Sequence, residues 1–459
     1  MSRDRLNRLF GPRDSQQQAY RRIDGDDRDT TEGEADVPAY DAPPVKEFSW
    51  VVYAIFTWMG MAMLWGWNSF LAAAPYFQIR FASNEWLQDN SQSSITSVFC
   101  VTGLSTHLLL LRLQKNASYP QRVLVSLALT GFVFALLTLS TIPKHGPSPN
   151  VLFAFVLFMV FICALAGSMN QNGLFAYVSS FSQPAYTQAI LAGQALSGVL
   201  PSIVQLISVL AVPTDSTVHE TDELANAAKS AFGFFLTATL ICGGAFLAFL
   251  YLYHSQARLA RYTPDEDTDT SEPDMLSTKK SVSLLTLFRK TRWLSLAIFL
   301  CFCITMAFPV FASQIQSVSK EKPPPRYSQP GVFVALALLF WNSGDLLGRM
   351  TLLIPSVKDR KPPHFVLFVL ALARIFFIPL FLMCNVRGRG AAINSDLFYL
   401  VLVQGLFGLT NGYVCVSIMV SAPDLVDQEE REAAGAYMGM LIVAGLAAGS
   451  VLSFFIGAL

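Results

Sequence analysis

Charge is scarce in this 459-residue chain. Charged residues make up 14% of it, against roughly 25% in an ordinary soluble protein. The 32 basic and 32 acidic residues cancel, and they are unevenly placed. Of the 64 charges, 19 fall in the first 47 positions and 13 more between His254 and Arg292. The rest runs in long apolar stretches. That distribution excludes a soluble globular enzyme, a disordered regulator and a nucleic-acid binder with a basic face. Walker-type loops, Ser/His/Asp spacing and metal clusters are also missing, so enzyme chemistry, ATP-driven transport, a cofactor and a metal are not expected. The seven cysteines offer no ligand spacing beyond Cys301-Phe302-Cys303. Positions two apart on a helix point about 200° from each other, which suits packed or lipid-facing thiols better than a metal site. No signal peptide is expected, because polar and charged residues precede the first apolar segment.

What the chain has is membrane-length segments. About 20 apolar residues cross roughly 30 Å of hydrocarbon. Eleven segments meet that measure, at 49–76, 93–114, 121–142, 151–180, 184–212, 230–253, 293–316, 331–355, 364–386, 395–421 and 432–458. Alternation of the barrel-strand kind is absent, so the expected class is an all-α polytopic membrane protein of eleven transmembrane helices. Threading the chain back and forth puts 22 Lys and Arg on the side of the N-terminus and 8 on the other. That bias predicts a cytoplasmic N-terminus. The tail 1–47 is too polar to bury a core and is expected to be disordered. A cytoplasmic linker, 254–292, then separates a six-helix bundle (48–253) from a five-helix bundle (293–459). The sequon at Asn116 falls on the cytoplasmic side, where glycosylation is not expected.

An ionisable residue inside a span costs about 2.5–3.5 kcal/mol at the bilayer centre on insertion scales and is a functional candidate by default. His107, Asp345, Arg349 and Arg374 qualify. His107 stands alone, and Arg374 needs a neighbour. Asn342, Asp345 and Arg349 fall at i, i+3 and i+7, one continuous stripe down a helix. An ion pair pinning neighbouring helices and a polar lining to a solute cavity both fit that stripe. In the first span, Leu64-Trp-Gly-Trp-Asn-Ser-Phe70 sets an amide beside flat aromatic surface, which suits either an interfacial belt or ring stacking. Gln171, an amide in the fourth span, could not face lipid without leaving its polar atoms unsatisfied.

Several motifs in order carry a family resemblance. They are Trp67-Asn68, Gln171-Asn-Gly-Leu-Phe175, Pro184-Ala-Tyr186, Gly193-Gln194, Phe308-Pro309, Asn342 with Asp345 and Gly348-Arg349, Asn411-Gly412-Tyr413, Ala434-Gly435, Gly445-Leu446 and Ser453-Phe454. Together they resemble the equilibrative nucleoside transporters across nearly all eleven spans. The resemblance implies a major-facilitator-like fold, six helices plus five, moving nucleosides down their gradient by alternating access. It implies that Trp67 stacks on the nucleobase while Leu64 and Leu71 shape its pocket. Asn68 and Gln171 would hydrogen-bond the solute, Asp345 and Arg349 would hold the ribose hydroxyls, and Asn342, Phe308 and Leu446 would line the cavity.

The chain departs from the family pattern at Gly66, where many relatives carry proline, at Leu338, where some carry an aromatic, and in a short first loop. The acidic tail resembles fungal members, some of them vacuolar and able to take nucleobases. The expected partners are purine and pyrimidine nucleosides, nucleobases as a further class, and the lipid bilayer, with no nucleic acid and a monomeric chain. The rival readings are a proton-coupled symporter using Asp345 or His107, and a non-transporting membrane receptor.

Overall fold

The computed structural model describes residues 48–113, 118–142, 147–181, 183–211, 220–262, 282–319, 325–358 and 362–457. The tail 1–47, the sequon at Asn116 and residues 263–281 of the linker lie outside the described residues. Among the described residues, eleven helices are long and apolar enough to cross a membrane. They are α1 (Trp50–Ala72), α2 (Asn90–Arg112), α3 (Tyr119–Ser140), α4 (Pro149–Ser179), α5 (Pro184–Ile207), α6 (Leu224–Ser255), α7 (Leu284–Gln314), α8 (Pro330–Leu353), α9 (His364–Leu382), α10 (Phe398–Leu425) and α11 (Gln428–Leu452).

Local chemistry starts and bends these helices. Ser49 caps α1 by accepting from the Val52 N–H, and Ser283 caps α7 through Leu285. Proline opens the first turn of α3, α4 and α8, where its missing N–H has no partner to lose. Beyond Met306, where one helix of α7 ends and the next begins, Pro309 leaves the Thr305 carbonyl without its i+4 donor. α9 tightens into a 3-10 turn at Arg374–Phe376, ahead of Pro379. α10 opens with π-helix over Phe398–Gly405.

The sixth helix begins at Glu220, ten residues before its expected start, and the other departures of similar size flank the linker. The α6 helix continues to Tyr262 and the α7 helix already begins at Leu284. The first extension mixes apolar residues with Arg258 and Arg261, the second with Arg289, Lys290 and Arg292. A hydropathy measure stops at the charges, whereas the backbone stays helical through them. At the start of α7, Lys290 pairs with Asp427 at 2.7 Å and Glu430 at 2.6 Å, tying it to the α10–α11 connection. The ammonium holds the Asp427 carboxyl below its usual range.

Helix packing is backbone to backbone at the decisive crossings. Gly344 and Gly348 of α8 face the carbonyls of Gly405 and Leu409, and Gly408 and Gly412 of α10 face those of Trp341 and Asp345. A Cβ at any of these positions would collide with the opposing oxygen. The four-residue spacing on both helices is the small-xxx-small pattern that lets transmembrane backbones touch. It brings Asn411 directly against Asp345.

The apolar core is divided in a telling way. One cluster, including Phe56, Phe175, Ile190, Phe249, Leu294, Ile418 and Met438, draws on the first six spans and on the last five. Its members lie toward the end of the bundle where α4 turns into α5. Toward the other end there are two separate clusters. One, around Phe70, Phe134 and Phe235, belongs to the first six spans; the other, around Phe311, Phe333 and Phe381, to the last five. The two sets of helices therefore share a core at one end and keep separate cores at the other.

Candidate functional site

The polar residues inside the membrane region meet along the seam between those sets. Asp345 and Arg349, on successive turns of α8, form an ion pair at 2.8 Å with side chains 5% and 6% exposed. Arg349 also donates through Nη1 to the Leu191 carbonyl at 2.9 Å and to Gln194 Oε1 at 3.0 Å, both on α5. The Gln194 amide nitrogen in turn meets the Met63 sulfur of α1 at 2.9 Å. Gln188 donates to the Arg349 carbonyl at 3.3 Å. The second Asp345 oxygen accepts from Asn411 Nδ2 at 2.7 Å, across the glycine contact of α8 and α10. A carboxylate and a guanidinium so buried are tolerable only when paired and hydrogen-bonded, and here both conditions hold.

The stripe expected on α8 is present, with a division of labour. Asn342 and Arg349 face α5, Asn342 donating to Ser202 Oγ at 3.0 Å and to the Leu338 carbonyl at 2.9 Å. Gly198 of α5 lies against the Asn342 side chain. Asp345 turns toward α10. Asn68 reaches the same stretch of α5 from the other side, donating to the Ser197 carbonyl at 2.6 Å. Asn68, Asn342 and Arg349 thus converge on α5, at Ser197, Ser202, Leu191 and Gln194.

The other expected site residues lie elsewhere. Gln171 is on a second seam, donating from α4 to the Gly439 carbonyl of α11 at 3.1 Å. His107 of α2 is buried beside it, and neither ring nitrogen has a hydrogen-bond partner within bonding geometry. Trp67 is half-buried with its ring 4.3 Å from that of Phe99. Its neighbour Trp65 donates to Thr237 at 3.4 Å. Phe308 stacks on Trp341 at 4.4 Å with an interplanar angle of 10°. Leu64 and Leu446 are half-buried, and Leu71 is 43% exposed.

Sequence reasoning did not assign a role to Gln194, Thr305, Cys301 or Asn411, which complete the network. Asn411 accepts from the Thr305 hydroxyl at 2.8 Å. Arg374 finds its neighbours here, donating to the Cys301 carbonyl at 2.6 Å, the Cys301 sulfur at 2.9 Å and Thr305 Oγ1 at 3.1 Å. A mid-span asparagine at 411, beside a glycine, was the available signal. Among the described residues no group of three or more His, Cys, Asp or Glu could hold a metal ion.

Comparison with known proteins agrees with this architecture. The chain is similar in fold to the E. coli fucose:proton symporter FucP, with a TM-score of 0.55 at 15% identity over 89% of this chain and 96% of that one. A second FucP structure, described as a major facilitator superfamily transporter, gives 0.52 at 16% identity over 89% and 95%. In sequence it is 28% identical to the nucleoside transporter FUN26 of Saccharomyces cerevisiae, over 91% of this chain and 86% of that one. It is also 28% identical to the human equilibrative nucleoside transporter 2, over 87% and 95%. The profile of the family described as nucleoside transporter matches residues 156–458, more than half of the chain. With eleven membrane-length helices among its described residues, a major-facilitator-type fold and this match, the chain belongs to the nucleoside transporter family.

Proposed function

We propose that the protein carries nucleosides down their gradient by alternating access, with Asp345 and Arg349 receiving the sugar hydroxyls. The observation that carries this is the placement of a buried ion pair on the seam between two sets of helices that share a core at one end only. Alternating access needs that seam to part and the other end to close. When α5 moves from α8, Arg349 gives up Leu191 and Gln194, and its freed N–H groups need new acceptors. Vicinal hydroxyls of a ribose are such acceptors, and they donate in turn to a carboxylate. Binding energy is thereby spent where the seam opens.

The remaining parts of the site rest on the family motifs in the sequence. Trp67 offers a ring face to the nucleobase and Leu64 and Leu71 flank it. Asn68, Gln171 and Asn342 supply amides, while Phe308 and Leu446 give apolar walls. With the N-terminus cytoplasmic, which the 22 to 8 distribution of basic residues supports, the joined end faces the cytoplasm. The chain works as a monomer, accepts nucleobases as a further class, and resides in an intracellular membrane such as the vacuole, a reading supported by the acidic tail.

Replacing Asp345 with Asn tests the site. The carboxylate charge is lost while shape is kept, so uridine uptake per membrane-inserted protein should fall at least about tenfold. Unchanged uptake by correctly inserted Asp345→Asn would refute the assignment.

A further inference from the structure

Arg374 is a buried charge that the transport reading leaves unused. It is 1% exposed, and among the described residues it forms no ion pair. A guanidinium in that position is costly, and what surrounds it is specific. It lies over the Phe407 ring, 4.4 Å from the centroid, and its Nη1 reaches the Cys301 carbonyl and Thr305 Oγ1.

The Thr305 hydroxyl has one proton and two acceptors in range. These are the Cys301 carbonyl one turn back at 2.7 Å and Asn411 Oδ1 at 2.8 Å. Within a helix the backbone carbonyl is the ordinary destination for that proton. Arg374 takes one of the two lone pairs of that carbonyl at 2.6 Å, the helical i+4 N–H competes for the other, and Arg374 donates into the hydroxyl oxygen as well. The Thr305 proton is thereby turned toward Asn411. With its oxygen engaged, Asn411 presents its NH2 group to Asp345 Oδ1. Donation runs in one direction, from Arg374 through Thr305 and Asn411 to Asp345. One carboxylate oxygen is fixed by this chain and the other by Arg349.

We propose that Arg374 is a positioning residue for solute recognition, acting through Thr305 and Asn411 to hold the Asp345 carboxylate in the orientation that receives sugar hydroxyls. The inference rests on the reading that Asp345 binds the sugar, and its test separates the two.

Uptake of radiolabelled uridine and 3′-deoxyuridine is measured with the full chain in proteoliposomes. The variants are Arg374→Met, Arg374→Lys, Thr305→Val, the Arg374→Met/Thr305→Val double variant and Asp345→Asn. Each single change at 374 or 305 should raise the uridine KM about tenfold while moving the 3′-deoxyuridine KM by about twofold or less. Lysine at 374 should not rescue, since it lacks the flat guanidinium that lies over the Phe407 ring and reaches the Phe407 carbonyl through its second nitrogen. The double variant should be no worse than the worse single one, as expected for members of one chain. A merely structural role would lower the number of active transporters and hence the maximal rate, without changing the ratio of the two KM values. Should the Arg374 variants fail to reach the membrane, Thr305→Val decides alone, because it keeps the arginine. An unchanged KM ratio in Thr305→Val overturns the proposal. If Asp345→Asn abolishes discrimination while Thr305→Val preserves it, only the role of Arg374 falls. If Asp345→Asn preserves discrimination, the sugar-binding reading falls and the proposal with it.

Discussion

At the scale of single residues, Asp345, Arg349 and Arg374 carry their charge among named partners, whereas the buried His107 ring nitrogens have none. Asp345 and Arg349 answer each other, and their remaining contacts go to Asn411, Leu191 and Gln194. Removing one partner of a buried pair costs about 3–5 kcal/mol because the other is left uncompensated. The pair was legible in the sequence, since a four-residue spacing on a helix places both side chains on one face. The partners of Arg374 were not, because Cys301 and Thr305 lie about seventy positions away and no periodicity links them. Trp67 poses a different question, as its ring now faces Phe99. Base–aromatic stacking is worth about 1–3 kcal/mol. Trp67→Ala should therefore raise the KM for purine and pyrimidine nucleosides about tenfold, and Trp67→Phe by clearly less. Equal losses from the two substitutions, measured by uptake kinetics, would show that the ring face is not what the solute uses.

At the scale of elements, the crossing of α8 and α10 determines whether the residue network can exist. Four glycines permit the backbone contact that brings Asn411 to Asp345. Gly408→Leu would drive a side chain into the Trp341 carbonyl, at a cost of about 1–3 kcal/mol or more. It should lower the melting temperature of the detergent-purified protein and abolish uridine uptake. Wild-type melting and uptake in that variant would mean that the crossing is loose. The glycine spacing was visible in the sequence, but which helix it served was not, since a small-residue stripe does not name its partner. Helix existence was legible throughout because apolar length is a strong signal. The breaks at Pro309 and Pro379 follow from a missing N–H. The π-helix at Phe398–Gly405 has no such marker, and the basic ends of α6 and α7 were hidden because charge resembles a loop.

At the scale of the whole molecule, the shared core at one end and the separate cores at the other describe one state of a machine that needs two. The division could not be read from the sequence, because the same residues must fit both states. The class of solute could be read, through motifs spread along the chain, and the family match over residues 156–458 supports it. The polar chain from Gln194 through Arg349, Asp345 and Asn411 to Arg374 links the moving seam to the interior of the last five spans. On the proposed reading the solute gradient alone drives movement. The most direct measurement is radiolabelled uridine uptake by the purified protein in proteoliposomes, followed to completion with and without an imposed pH gradient. The account predicts that uridine equilibrates to equal concentrations inside and out under both conditions. Accumulation above the external concentration that collapses when an ionophore dissipates the pH gradient would contradict it, as would uptake no greater than that of empty vesicles.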